Sequence, residues 1–164
     1  MQLYHLIEPD SLGSILRSGL KRTSRGDKGD DKYIKKTDKF LDAHCPADLK
    51  SVGVSRDNNL YACLGDEGKI IDITDGRAIE IAELTKSSDD CLVRVYADPR
   101  RCYVSDLDIY DEIKYKISND TVTAADAQKY WEAMRRLEGF VVGDIQRPEV
   151  MITCDIPPQN LQKI

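Results

Sequence analysis

What most constrains this chain is that beyond residue 68 it reads mainly as short strands, with no regular alternation of strand and helix. Lys69 to Ile73 is followed by a turn at Thr74-Asp75-Gly76, and Cys91 to Ala97 places Leu92, Val93, Val95 and Tyr96 in an extended pattern. Ala78 to Ile81 either pairs with a neighbour or starts a short helix. Short strands met in succession favour an antiparallel or mixed sheet and argue against a doubly wound parallel one.

The remaining segments fit that frame. Gln2 to Ile7 reads as a strand, and Pro9-Asp10-Ser11 turns and caps a helix whose Leu12, Ile15 and Leu16 share a face before Gly19 stops it. Residues 21–50 form a long polar stretch with little periodicity, read as a loop. Ser51 to Ser55 alternates as a strand, and Asn58 to Leu64 reads as a turn of helix ending at Gly65. Ile113 to Ile117 looks extended, Thr123 to Leu137 is the clearest helix, and Glu149 to Cys154 is a final strand. The expected fold is α+β, with mixed or antiparallel sheets, few helices and a single domain over residues 1–164.

Several function classes lack their signatures. Neither a Gly-x-Gly-x-x-Gly turn nor a Gly-x-x-x-x-Gly-Lys-Ser/Thr loop is present, so a phosphate cradle of either type is not expected. The five cysteines are scattered without a Cys-x-x-Cys pair, which favours reduced thiols and no metal site. No apolar run approaches the roughly 20 residues of a membrane helix, and Met1 to Ile7 does not resemble a secretory signal, so a cytoplasmic protein is expected. A net charge of -5 disfavours nonspecific coating of nucleic acid. Lys21, Arg22, Arg25, Lys28, Lys32, Lys35, Lys36 and Lys39 nevertheless form a local basic run with Tyr33 and Phe40 beside it. Such a run either guides a nucleic-acid strand and stacks a base or is simply a solvated loop.

Three segments carry residues suited to chemistry. His5 stands on the first strand, where a lone histidine is commonly structural. Ser55-Arg56-Asp57-Asn58-Asn59-Leu60-Tyr61 gathers polar side chains and an aromatic ring, either at one functional rim or as a capped strand end. Glu149 opens an apolar strand, where it is either a solvated end or a carboxylate held beside a cleft.

Together, Tyr4-His5 with the helix end Ser14-Ile15-Leu16-Arg17-Ser18-Gly19-Leu20, Arg56 to Tyr61, and Glu149-Val150-Met151-Ile152 leading to Ile156-Pro157 resemble the His, Tyr, Glu branch of the ADP-ribosyltransferase superfamily. The DarT family of nucleic-acid-modifying toxins is the most similar member, although the chain is shorter and its Arg56 segment lacks that family's usual proline and methionine. The resemblance implies mixed or antiparallel sheets around an NAD cleft and ADP-ribose transfer with release of nicotinamide. Breaking the nicotinamide–ribose bond develops positive charge on the ribose, which a nearby carboxylate stabilises. It further implies that Glu149 and Arg56 are catalytic and that His5, Ser55, Arg56 and Tyr61 bind NAD. His5 would contact the adenosine-side ribose and Tyr61 the nicotinamide ring, while Arg56 either neutralises pyrophosphate or positions the acceptor. Arg22, Arg25, Tyr33, Lys35 and Lys36 are the expected acceptor contacts in the 21–50 loop. The expected acceptor is DNA or RNA, and the expected role is a toxin or antiphage effector with an antitoxin partner. A protein acceptor and a non-catalytic nucleotide-binding module are the competing expectations.

Overall fold

Alternation of side chains between two faces builds the strands of this domain. In β2 (Leu60–Asp66), Leu60, Ala62 and Leu64 are buried on one face while Tyr61 and Cys63 turn to the other. The expected helical turn at Asn58 to Leu64 is therefore corrected to a strand, because its apolar residues repeat at two rather than 3.6. In β8 (Pro148–Ile152), Val150 and Ile152 join the face of Leu60 and Ala62, while Met151 joins Tyr61 on the other. A computed structural model describes residues 1–22, 32–66, 68–87 and 89–164.

Among the described residues nine strands form one sheet. Its main path runs from β7 (Arg135–Arg136) through β6 (Cys102–Asp106), β8, β2, β1 (Gln2–Ile7) and β5 (Cys91–Val95) to β9 (Leu161–Lys163). The short strands β3 (Lys69–Ile71) and β4 (Ala78–Glu80) extend from the end of β2, and α4 (Ile81–Ser87) follows them. Every described pairing is antiparallel, and with six α-helices among the described residues the domain is α+β. No helix among the described residues is long and apolar enough to cross a membrane.

The expectation of few helices is corrected. Within the stretch read as a loop lie α2 (Lys32–Ala43) and α3 (Ala47–Ser51). The residues read as extended at Ile113 to Ile117 belong to α5 (Leu107–Ser118), whose Leu107, Tyr110 and Ile113 are buried at helical spacing. The expected strand at Ser51 to Ser55 is the end of α3 and a turn, because Gly53 sits at φ 89, outside the strand region. The late helix α6 (Ala124–Ala133) ends before Met134, earlier than its sequence pattern implied.

Helices α2, α5 and α6 cover the Tyr61–Met151–Tyr103 face, and the Trp131 Nε1–H donates to the Leu41 carbonyl at 3.0 Å, tying α6 to α2. On the opposite face, Leu20 and Ile156 bond reciprocally through their backbones, and α1 (Pro9–Ser18) packs Ile15 against the same core. Gly19 ends α1 at φ 81, and a Cβ there would collide with the Ile156 carbonyl. Gly19→Ala is accordingly expected to cost at least about 1–3 kcal/mol, read as a drop of several degrees in Tm.

Candidate active site at the split between β1 and β2

The cleft arises from unequal strand pairing. β1 pairs with β2 only from Gln2↔Gly65 to Tyr4↔Cys63, whereas β1 stays with β5 as far as Ile7↔Cys91. β2 meanwhile stays with β8 down to Leu60↔Ile152. Beyond Tyr4 and Cys63 the two strands part, and His5 stands at the opening. Its Nδ1 lies 2.6 Å from the Tyr61 carbonyl oxygen. A carbonyl can only accept, so Nδ1 carries the proton and the ring is fixed in orientation.

A cleft of about 200 Å³ lies here, lined by Tyr4, His5, Tyr61, Cys63, Ile73 and Glu149 among others. Tyr4, Cys63, Glu149 and Ser105 lie in one row across β1, β2, β8 and β6, so Glu149 reaches the site by register. Glu149 is 6% exposed, and its Oε2 accepts a hydrogen bond from Arg56 Nη1 at 2.7 Å. Burial pushes the Cys63 thiol up to about 11, helped by Glu149 and Asp72, so it is a protonated wall group and not a nucleophile at neutral pH. A larger depression of about 380 Å³ lies at Leu64, Lys69, Ile71 and Val142.

Arg56 is fully buried. Its backbone N–H donates to Asp42 Oδ1 at 2.6 Å, while Asp42 Oδ2 receives the Ser55 hydroxyl at 2.7 Å and the Asp57 N–H at 3.1 Å. The guanidinium then projects inward between Tyr110, at 4.3 Å from the ring centre, and Tyr61, at 4.7 Å. Its Nη1 also donates to the Tyr130 hydroxyl at 3.1 Å, and its Nε to Asp38 Oδ1 at 3.3 Å. The Tyr61 hydroxyl donates back to the Arg56 carbonyl. Burial by itself pulls the Arg56 pKa down, but Tyr130, Tyr61, Glu149 and Asp38 outweigh it and hold the group well above its ordinary value. Arg56 is therefore a fixed cation inside the protein. The guanidinium expected to meet pyrophosphate or acceptor is buried among protein side chains and bonded to Glu149.

The other expected site residues are divided. Ser55 lies with Arg22, Asp42 and Lys50 around a separate depression of about 310 Å³ and is not among the residues lining the His5 cleft. The Ser55 hydroxyl, expected to contact NAD, donates to Asp42 Oδ2. The Arg22 backbone N–H donates to Asp155 Oδ1 at 2.9 Å. Tyr33, Lys35 and Lys36 lie on α2, where Lys32 and Lys36 approach the Tyr33 ring at 5.0 and 5.8 Å from its centre. Arg25 lies outside the described residues.

Sequence reasoning missed Asp38, Asp42, Tyr110 and Tyr130. The two aspartates stand four residues apart on α2, a spacing that places both on one helix face, but the surrounding lysines hide the pattern. Among the described residues no group of three or more His, Cys, Asp or Glu could hold a metal ion. No protein-family model, curated protein or solved structure matches this chain.

Proposed function

We propose that the protein is an NAD-dependent ADP-ribosyltransferase with an ADP-ribosyltransferase-like fold, cleaving NAD in the cleft between β1 and β2. The observation that carries this is the convergence of His5, Tyr61 and Glu149, from three different strands, on one cleft. At about 200 Å³ the cleft is smaller than the roughly 300–1,000 Å³ of sites that enclose a whole drug-sized ligand. It suits the nicotinamide–ribose half of NAD, with the adenosine half lying outside.

The chemistry needs little machinery. The bond from ribose C1′ to the nicotinamide nitrogen breaks, its electron pair leaves with neutral nicotinamide, and positive charge develops on the ribose. Glu149 stabilises that charge from a water-poor wall, where a preorganised carboxylate acts strongly. The acceptor then bonds C1′ and loses a proton. Two carboxylates, Asp38 and Glu149, share the one Arg56 guanidinium, so the triad carries a net negative charge when both are ionised. This favours the positive charge as it moves from the nicotinamide ring to the ribose beside Glu149. Tyr61 supplies an aromatic wall for the nicotinamide, and His5 a polar contact to NAD.

The preferred acceptor is a nucleic acid, DNA or RNA, and the biological role is that of a toxin or antiphage effector held in check by a partner protein. Support comes from α2. Lys32, Lys35, Lys36 and Lys39 are all exposed at spacings of three and four residues, so they form one stripe, while the acidic Asp38 and Asp42 turn inward. Replacing Lys32, Lys36 and Lys39 with alanine should weaken binding to single-stranded oligonucleotide and lower the salt slope by about 0.7 per lost phosphate contact. Acceptor-free NAD hydrolysis should be unchanged. Equal affinity and slope in the variant would remove the nucleic-acid assignment from α2.

Incubation of the protein with NAD and separate pools of DNA, RNA and protein, following free nicotinamide and adenine-labelled product, tests the activity. Nicotinamide release with label on one nucleic-acid pool is expected. Label on protein alone would reassign the acceptor, and NAD binding without release would make the domain a nucleotide-binding module.

A further inference from the structure

Helix α2 holds Arg56 at two points. Asp42 takes the Arg56 backbone N–H, and Asp38, one turn earlier, takes the side chain at Nε. Asp38 has a side chain only 1% exposed, on a helix whose other face is lined with lysines in water. A carboxylate in such a place is costly unless it is paired and hydrogen-bonded. Its Oδ1 accepts both from Arg56 Nε at 3.3 Å and from the Tyr110 hydroxyl at 2.8 Å.

We propose that Asp38 is a positioning residue that fixes the Arg56 guanidinium and, through it, the Glu149 carboxylate for cleavage of the nicotinamide–ribose bond. This builds on the NAD chemistry proposed above. A guanidinium is a planar fork, and it is held only when its edges and faces are both fixed. Here Asp38 holds the Nε edge, Glu149 and Tyr130 hold Nη1, and the Tyr61 and Tyr110 rings cover the faces. Removing Asp38 frees the Nε edge and lets the fork pivot about its bonds to Glu149 and Tyr130.

There is also a charge consequence. With Asp38 present, the positive charge of Arg56 is divided between two carboxylates. Without it, Glu149 alone neutralises Arg56, and less of its field reaches the ribose as that group becomes positive. The loss falls on the transition state more than on bound NAD, so kcat drops while KM stays. Asp38 acts through Arg56 and touches no substrate.

Asp38→Asn keeps the shape and an acceptor oxygen but removes the charge. Nicotinamide release from NAD should lose at least about tenfold in kcat, with KM for NAD within about twofold of wild type. The Arg56 Nε–H resonance, measured by NMR on the same protein, should move and exchange faster with water. Tyr110→Phe, which removes only the hydroxyl bonded to Asp38, should lower kcat by a smaller factor at constant KM. Should Asp38→Asn fail to fold, the Tyr110→Phe kinetics decide by the same criterion. A kcat within about twofold of wild type in Asp38→Asn, or in Tyr110→Phe if only that variant folds, overturns the proposal. If the wild type releases no nicotinamide, the NAD chemistry fails. The NMR comparison still decides the positioning of Arg56: an unchanged Nε–H signal in Asp38→Asn refutes it, and a displaced one supports it.

Discussion

Arg56→Ala is expected to destabilise the domain by about 3–5 kcal/mol, the usual cost of removing one partner from a buried ion pair. The substitution leaves Asp38 and Glu149 facing each other's charge in the interior with no cation between them. It also opens a void between the Tyr61 and Tyr110 rings, which adds a packing penalty. Against a total stability of about 5–15 kcal/mol, this change should move the denaturant midpoint sharply. Arg56→Lys should fall between the two, since it keeps the charge but not the fork that reaches Asp38 and Glu149 together. Nicotinamide release should be lost in Arg56→Ala even under conditions that keep it folded. A midpoint equal to that of wild type would mean that the buried triad does not hold the fold.

Glu149→Gln is expected to do the reverse, leaving the fold and removing the activity. The glutamine amide oxygen can still accept from Arg56 Nη1, and Asp38 still balances the guanidinium charge, so thermal unfolding should change little. Nicotinamide release should drop by about 10²–10³-fold or more, the scale lost when one preorganised electrostatic group is removed from an active site. Toxicity on expression, if the effector role is right, should vanish in the same variant. Wild-type turnover in Glu149→Gln would end the mechanism proposed for this cleft.

Much of the scaffold was legible from local patterns. Strands β1, β5 and β8 follow from runs of apolar residues bounded by turns, and α1 from its Pro9 start and Gly19 stop. The misread segments share a physical cause. Ile113-Lys114-Tyr115-Lys116-Ile117 alternates like a strand, yet the burial that decides it runs Leu107, Tyr110, Ile113. In α2 the buried side chains include Thr37 and Asp38, so an inward face written partly in polar residues does not register as amphipathic. Ser51-Val52-Gly53-Val54-Ser55 alternates too, but the positive φ of Gly53 turns the chain.

For the candidate site, the short motifs around His5, Tyr61 and Glu149 mark three residues that line one cleft, with His5 where β1 and β2 part. The burial of Arg56 is not legible in the same way. An arginine followed by Asp57, Asn58 and Asn59 reads as exposed, and Glu149, the aspartates of α2 and the tyrosines of α5 and α6, all distant in sequence, help to make its burial tolerable. Nothing in the local sequence of residues 55–61 encodes those partners.

The most direct test is a crystal structure of Glu149→Gln soaked with NAD. The nicotinamide and its ribose should appear between β1 and β2, against Tyr61 and with C1′ facing residue 149, and the adenosine-side ribose should reach His5 at the opening. Density for NAD elsewhere, for example at Arg22 and Ser55, with the His5 cleft empty, would contradict that placement.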